Sequence, residues 1–200
     1  AVGVAYAAAK LGAPATIVMT ERSPVNLRAI CQGYGAEVLV RGQIYNDAAE
    51  VAGEISRATG RRVIHSYDDP HIVAGQGTVG LELMEQAPDV ETVFVPIGGG
   101  GLISGVATAV KELNPRVRVV GVEPALANDT YLSRQQGSRV NIGSSTTIAD
   151  GLRSSEPGEL TFPVVQRYVD EIALVSEAEI RHACRYMLEQ VKQAVEPSGA

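Results

Sequence analysis

The chain has no tryptophan and only two phenylalanines among its 200 residues, so its core must be aliphatic and alanine-rich, as in layered α/β proteins. Cysteine is equally scarce. Cys31 and Cys184 stand far apart, with no Cys-x-x-Cys and no histidine at ligand spacing. That excludes a zinc ribbon or a disulfide framework and predicts two reduced, mostly buried thiols in a cytoplasmic protein. No apolar run approaches the roughly 20 residues that span a bilayer, so no membrane association is expected. The net charge of −6 is mixed in sign along the sequence, and Arg61-Arg62 is an isolated basic pair. Neither offers the basic, aromatic-lined surface that nucleic acid requires. The Gly-x-Ser-x-Gly elbow of serine hydrolases does not occur.

Glycine, by contrast, is plentiful, with 21 residues, and four of them are consecutive. The apolar run Val93-Phe94-Val95-Pro96-Ile97 stops at Gly98-Gly99-Gly100-Gly101, and Leu102-Ile103-Ser104-Gly105-Val106-Ala107 follows with helical character. Strand, tight loop and helix is the order this predicts. Four glycines are costly to order, and they make sense where backbone must come close to something and present N–H groups without Cβ atoms in the way. The natural occupant of such a loop at a helix N-terminus is a phosphate. A Walker loop is excluded, because Leu102 and Ile103 stand where Lys and Ser/Thr are needed. A dinucleotide fingerprint fits in part: Gly99-x-Gly101-x-x-Ser104 has a small third residue, and Glu123 follows after the next strand, where a ribose ligand would be.

The other segments alternate in the same style. Ala1 to Leu11 reads as a helix stopped by Gly12, and Ala15 to Met19 as a buried strand. Pro24 opens a second helix that ends at Gly33 to Gly35, and Glu37 to Val40 is the next strand. Asn46 caps a helix running to Thr59, and Arg62 to His65 returns as a strand. His71 to Met84 is a helix with three glycines, Gly75, Gly77 and Gly80, each costing about 1 kcal/mol relative to Ala, which asks for close packing or a bend at a functional site. Val117 to Val122 is a strand, and Asn128 or Asp129 caps a helix to Gln136. Residues 138–159 carry no periodicity. A helix through Val164, Val165 and Tyr168, a strand Glu171 to Val175, and a helix opened by the capping box Ser176-Glu177-Ala178-Glu179 complete the chain. Strands and helices at such short spacing predict parallel sheets with right-handed crossovers. His65, His71 and His182 lack a second zinc-type ligand at spacing and read as loop or helix-face residues.

Six stretches carry a family resemblance in order: Val4-Ala5-Tyr6-Ala7-Ala8, Ile72-Val73-Ala74-Gly75-Gln76-Gly77-Thr78, Val95-Pro96-Ile97-Gly98-Gly99-Gly100-Gly101-Leu102, Val122-Glu123-Pro124, Ala149-Asp150-Gly151 and Glu196-Pro197-Ser198-Gly199-Ala200. Together they resemble the threonine dehydratase and serine racemase family of fold-type II pyridoxal-phosphate enzymes. The resemblance implies three-layer α/β architecture with parallel sheets and helices on both faces, like the tryptophan synthase β subunit. It implies two domains, with residues 1–69 part of the small one and residues 70–200 most of the large one. Gly98, Gly99, Gly100 and Gly101 would form the cup for the 5′-phosphate of pyridoxal phosphate, with Leu102 starting the helix behind it. Gly151 would lie beside the ring and Glu196 on the loop walling the same pocket; without the resemblance they read as a turn glycine and a helix-end carboxylate.

By likeness to the serine racemase side of the family, Glu123, the Ala127 carbonyl and Asp129 would hold Mg²⁺, Ca²⁺ or Mn²⁺, a set of oxygen donors that suits those ions. Read alone, Asp129 is a helix cap and Glu123 a strand-end carboxylate. The implied activity is a pyridoxal-phosphate-dependent ammonia-lyase turning L-threonine or L-serine into a 2-keto acid and ammonia, with serine racemase the alternative and a Rossmann-type NAD-dependent dehydrogenase a more distant one. A small amino-acid substrate and a homo-oligomer, dimer or tetramer, are implied as well. The family's cofactor-bonding lysine sits in a Ser-x-Lys-x-Arg-Gly context that is absent here. Lysine occurs only at Lys10, Lys111 and Lys192, each in or at the end of a helical segment. That lysine is expected before residue 1 and the partner of the pyridine nitrogen after Ala200, so the 200 residues alone are expected to be inactive.

Overall fold

The computed structural model describes residues 1–43 and 45–200, apart from the side chain of Asn46. It divides into two compact units, Ala1–Ile64 and His65–Ala200. In the first, helices α1 (Val2–Leu11), α2 (Val25–Gly33) and α3 (Tyr45–Thr59) alternate with strands β1 (Thr16–Met19) and β2 (Glu37–Val40). The strands pair in parallel, Thr16 opposite Glu37 through Met19 opposite Val40. Gly12 ends α1 in the left-handed region at φ 65°, where its lack of a Cβ removes the steric cost. Ala5, Ile17, Met19, Cys31 and Ala36 form the core of this unit. The expected cap at Asn46 lies outside the described residues.

Arg62 to His65 is not a strand. Val63 and Ile64 are exposed, and β1 and β2 form a sheet of two strands without them. Local β preference without a ladder to join does not make a strand.

In the second unit, α4 (Pro70–Gln86) leads to β3 (Thr92–Pro96), α5 (Gly101–Leu113), β4 (Arg118–Pro124) and α6 (Asp129–Gln136). A 3-10 turn, Asp150–Leu152, precedes α7 (Thr161–Tyr168), β5 (Glu171–Val175) and α8 (Glu177–Tyr186), and α8 runs into a π-helical turn, Met187–Val191. The sheet is parallel in the order β3-β4-β5, and β5 and the Ser176–Glu179 capping box stand where the sequence puts them. The core is Val93, Val95, Ile97, Ile103, Val106, Ala107, Val110, Val117, Val119, Val165, Val169 and Ile172. Each such valine or isoleucine contributes about 1.5–3 kcal/mol when fully buried, enough for a core without large aromatic anchors.

The boundary falls after Ile64, earlier than the division after residue 69, because the intervening segment serves the second unit. Asp69 caps α4 by accepting from the amides of His71 (2.8 Å) and Ile72 (3.3 Å). Asp68 accepts from Glu159 (2.9 Å), Leu160 (2.9 Å) and Thr161 (3.3 Å) at the start of α7. Among the described residues no helix is long and apolar enough to cross a membrane, and Cys31 and Cys184 are free.

Candidate functional site: a cradle of backbone amides

The loop after β3 has two crowded sides. A Cβ built on Gly99 would collide with the ring of Tyr67, and one on Gly101 would sit 2.8 Å from Tyr67 Cβ. One on Gly98 would lie 3.2 Å from Leu152 Cα and 3.3 Å from the Gly151 carbonyl. Gly100 takes φ +91°, and a Cβ there would meet Thr161 Oγ1 at 2.8 Å. The space that the missing side chains leave is therefore filled by Tyr67, Thr161 and the Asp150–Leu152 turn of the same unit. The amides are another matter. Among the described residues, no acceptor takes a hydrogen bond from the N–H of Gly98, Gly99, Gly100, Gly101 or Leu102, although Gly99, Gly100 and Gly101 are buried. Buried donors without acceptors are rare, because each costs about 1–3 kcal/mol. A run of them at the positive end of the 13-residue helix α5 is a place for an anion.

The surroundings of the loop are equally specific. Gly151 donates its amide to Ser198 Oγ at 3.0 Å, and a Cβ on Gly151 would lie 3.9 Å from Glu196 Oε1. The structure thus brings Gly98, Gly151 and Glu196 side by side, with Glu196 exposed and Ser198 buried. Tyr67, Asp68 and Thr161 carry no signal in the sequence that singles them out, and Ser198 stands out only as part of the Glu196–Ala200 stretch. His65 shapes the approach to them: its Nδ1 accepts from the amides of Tyr67 (3.2 Å) and Asp68 (2.7 Å), so that nitrogen carries no proton.

Glu123, Ala127 and Asp129 are all fully buried. The Glu123 carboxylate accepts from the amides of Thr130 at 3.0 Å and Tyr131 at 2.8 Å, so the cap of α6 comes from the end of β4. Asn128, at the cap position, makes no side-chain cap bond, and Asp129 is the first residue of the helix and not its cap. Asp129 accepts from Ser154 Oγ at 3.1 Å on both oxygens. Burial, with the charge of Asp129 adding to it, pushes Glu123 up to about 8, and burial likewise pushes Asp129 up to about 7. Among the described residues no group of three His, Cys, Asp or Glu side chains could hold a metal. The dinucleotide reading fails at Glu123, whose carboxylate is fully buried under the start of α6, where a ribose cannot reach it.

A parallel sheet, a glycine loop with unpartnered amides and a helix starting on the last glycine define an α/β protein of the kind whose loop suits an anionic group. The particular family follows from comparison. The model of the family described as pyridoxal-phosphate dependent enzyme matches residues 1–200, and the chain belongs to that family. The L-threonine ammonia-lyase of Thermotoga maritima is 46% identical over 198 residues, which are 99% of this chain and 49% of that protein. The L-threonine ammonia-lyase of Geobacter sulfurreducens is 44% identical over the same shares. Among solved structures, maize serine racemase superposes with a TM-score of 0.95 at 40% identity, covering 99% of this chain and 60% of that one. The threonine deaminase of T.th. superposes with a TM-score of 0.93 at 44% identity, covering 98% and 65%. The chain spans about half the length of the curated relatives it matches.

Proposed function

We propose that the complete protein carrying this chain is a pyridoxal-phosphate-dependent ammonia-lyase acting on L-threonine or L-serine. The observation that carries the reading is the run of amides from Gly98 to Leu102 that find no acceptor among the described residues, three of them on the buried glycines Gly99, Gly100 and Gly101, a donor array that suits a phosphate dianion. When bound, pyridoxal phosphate supplies an electron sink that stabilises negative charge at Cα of an amino acid. In this reading Gly98, Gly99, Gly100, Gly101 and Leu102 hold the 5′-phosphate, helped by the dipole of α5, and so fix the position of the ring relative to the substrate's Cα–H bond. Gly151 borders the ring, where any side chain would crowd Ser198 Oγ, 2.8 Å from a built Cβ, and Glu196 stands at the edge of the same pocket. Lys111 is committed to Asp170 at 2.7 Å, and Lys10 lies over the Tyr6 ring in the first unit. Lys192 closes the π-helical turn at φ 63°, and none of the three stands in the Ser-x-Lys-x-Arg-Gly context, so we draw the cofactor-bonding lysine from the part of the relatives' length that this chain does not span.

The same reading gives Glu123, the Ala127 carbonyl and Asp129 a divalent cation. Two buried carboxylates whose burial raises both pKa values suit a dication, and only oxygen donors are offered, as Mg²⁺, Ca²⁺ and Mn²⁺ require. Water would complete the shell.

The test is an assay of the complete protein with L-threonine and L-serine, following ammonia, 2-keto acid and the D-amino acid. Keto acid from either substrate is the expected result. Production of D-serine instead would favour racemisation, the reading that the close superposition on maize serine racemase supports. Neither product in the presence of pyridoxal phosphate overturns the assignment.

A further inference from the structure

One hydroxyl touches the glycine loop at the point that decides where its amides face. Thr161 is fully buried, and its Oγ1 donates to the Gly99 carbonyl at 2.6 Å while accepting from the Gly158 amide at 3.0 Å. The Gly158 amide also reaches the Gly99 carbonyl, at 3.3 Å. None of the described peptide bonds is cis. In a planar trans peptide the C=O and the next residue's N–H point in opposite directions. Clamping the Gly99 oxygen onto Thr161 therefore turns the Gly100 N–H away from Thr161, toward the side where no protein acceptor meets it. On the other flank of the same residue, Ser104 donates its amide to the Gly100 carbonyl at 3.0 Å, which turns the Gly101 N–H outward from the helix start by the same rule. Without the Thr161 hydroxyl only the longer Gly158 bond, at 3.3 Å, would hold the Gly99–Gly100 peptide, whose two glycines offer little resistance to rotation.

Thr161 is itself held. Asp68 accepts from its amide and from those of Glu159 and Leu160, fixing the first turn of α7, and Ser104 Oγ donates to the Thr161 carbonyl at 3.4 Å. Gly158 is required by the same arrangement, since a Cβ there would collide with Asp68 Oδ1.

We propose that Thr161, supported by Asp68, is a positioning residue for the phosphate end of the cofactor: its hydroxyl orients the Gly99–Gly100 peptide so that the Gly100 amide faces the anion. The proposal rests on the glycine loop being the phosphate site. Thr161 acts through the backbone and touches neither substrate nor cofactor.

The experiment uses the complete protein in its cofactor-free form and measures dissociation constants for pyridoxal phosphate and for pyridoxal, which has the same ring without the phosphate. Wild type, Thr161→Val, Thr161→Ser and Asp68→Asn are compared. Wild type is expected to prefer the phosphorylated ligand strongly; equal affinity for the two would overturn the phosphate-site reading itself. Thr161→Val is expected to weaken pyridoxal phosphate roughly 10- to 100-fold, the worth of one hydrogen bond to a charged group, and to leave pyridoxal within about twofold. Thr161→Ser keeps the hydroxyl and is expected to restore most of the difference, and the ³¹P resonance of the bound ligand should move in Thr161→Val and return in Thr161→Ser. An unchanged phosphate preference in Thr161→Val, or equal losses for both ligands, overturns the positioning role. Should Thr161→Val fail to fold, Asp68→Asn decides: a phosphate-specific loss of roughly threefold or more supports the proposal, and an unchanged preference overturns it.

Discussion

Glycine is crowded both along the loop Gly98–Gly101 and where α4 meets α5, and these two places use the missing side chain differently. In the helix pair, a Cβ on Gly105 would collide with the Val73 carbonyl and lie 2.5 Å from the Gly77 amide, and one on Gly80 would lie 2.9 Å from Ala109 Cβ and from the Val106 carbonyl. There the glycines let two backbones approach, while their own amides serve the helices that contain them. In the loop, Tyr67 and Thr161 press on the Cβ side just as tightly, yet the amides on the other side find no acceptor among the described residues. The lesson is that close packing alone does not mark a site. Close packing together with leftover donors does.

Substitutions can separate the two roles, and the largest effect should come from the loop. Gly99→Ala drives a methyl into the Tyr67 ring and is expected to lower pyridoxal phosphate affinity of the complete protein by more than about 100-fold, because several amides that meet a charged group move together; a titration followed by the cofactor's absorbance checks it. Gly105→Ala should come next. Its methyl meets backbone that cannot swing aside, so a loss on the order of 3 kcal/mol in unfolding free energy is expected, with the ratio of affinities for pyridoxal phosphate and pyridoxal unchanged in whatever fraction folds. Gly75→Ala is the opposite case. Nothing lies within 4 Å of a Cβ there and the residue is exposed in a helix, so a gain of about 0.5–1 kcal/mol is expected from helix propensity, read as a higher thermal midpoint.

The smallest effect should come from Asp170, which touches neither set of glycines. Partial desolvation raises its pKa, but the Lys111 ammonium and the Val119 amide, at 2.7 Å, outweigh that and hold the carboxyl below its ordinary 3.8. A carboxyl with a lowered folded pKa contributes stability that is present above the ordinary value and disappears as pH falls through the folded one. Asp170→Asn should therefore flatten the acid limb of stability below about pH 4. The side chain is 38% exposed, so the change should be small and should shrink further in high salt.

Most of the framework can be read from one sequence because it rests on local signals. Gly12, Gly137 and the Ser176–Glu179 box end or begin helices by short-range chemistry, and β5 runs over the residues that its apolar pattern marks. The four loop glycines are legible for the same reason. What escapes depends on residues distant in sequence. Thr161 and Gly99 are 62 positions apart and Asp68 and Thr161 are 93 apart, and neither a threonine at the head of a short helix nor the first of two adjacent aspartates announces such a partner. The sequence points to Asn128 or Asp129 as the α6 cap because caps are usually adjacent, whereas Glu123 supplies it from the end of a strand. At Arg62 to His65 the mismatch runs the other way: local preference is present and the ladder partner is not.

Asp68 and Asp69 are neighbours, yet the first carboxylate closes the opening turn of α7 and the second that of α4. One peptide bond thus yokes two helix starts, and fraying at either would tug directly on the other. With Tyr67 lying across the loop immediately before this yoke, the order of three successive residues ties the glycine loop mechanically to both helices, so that strain arising in α4 has a covalent route to the amides proposed to anchor the cofactor.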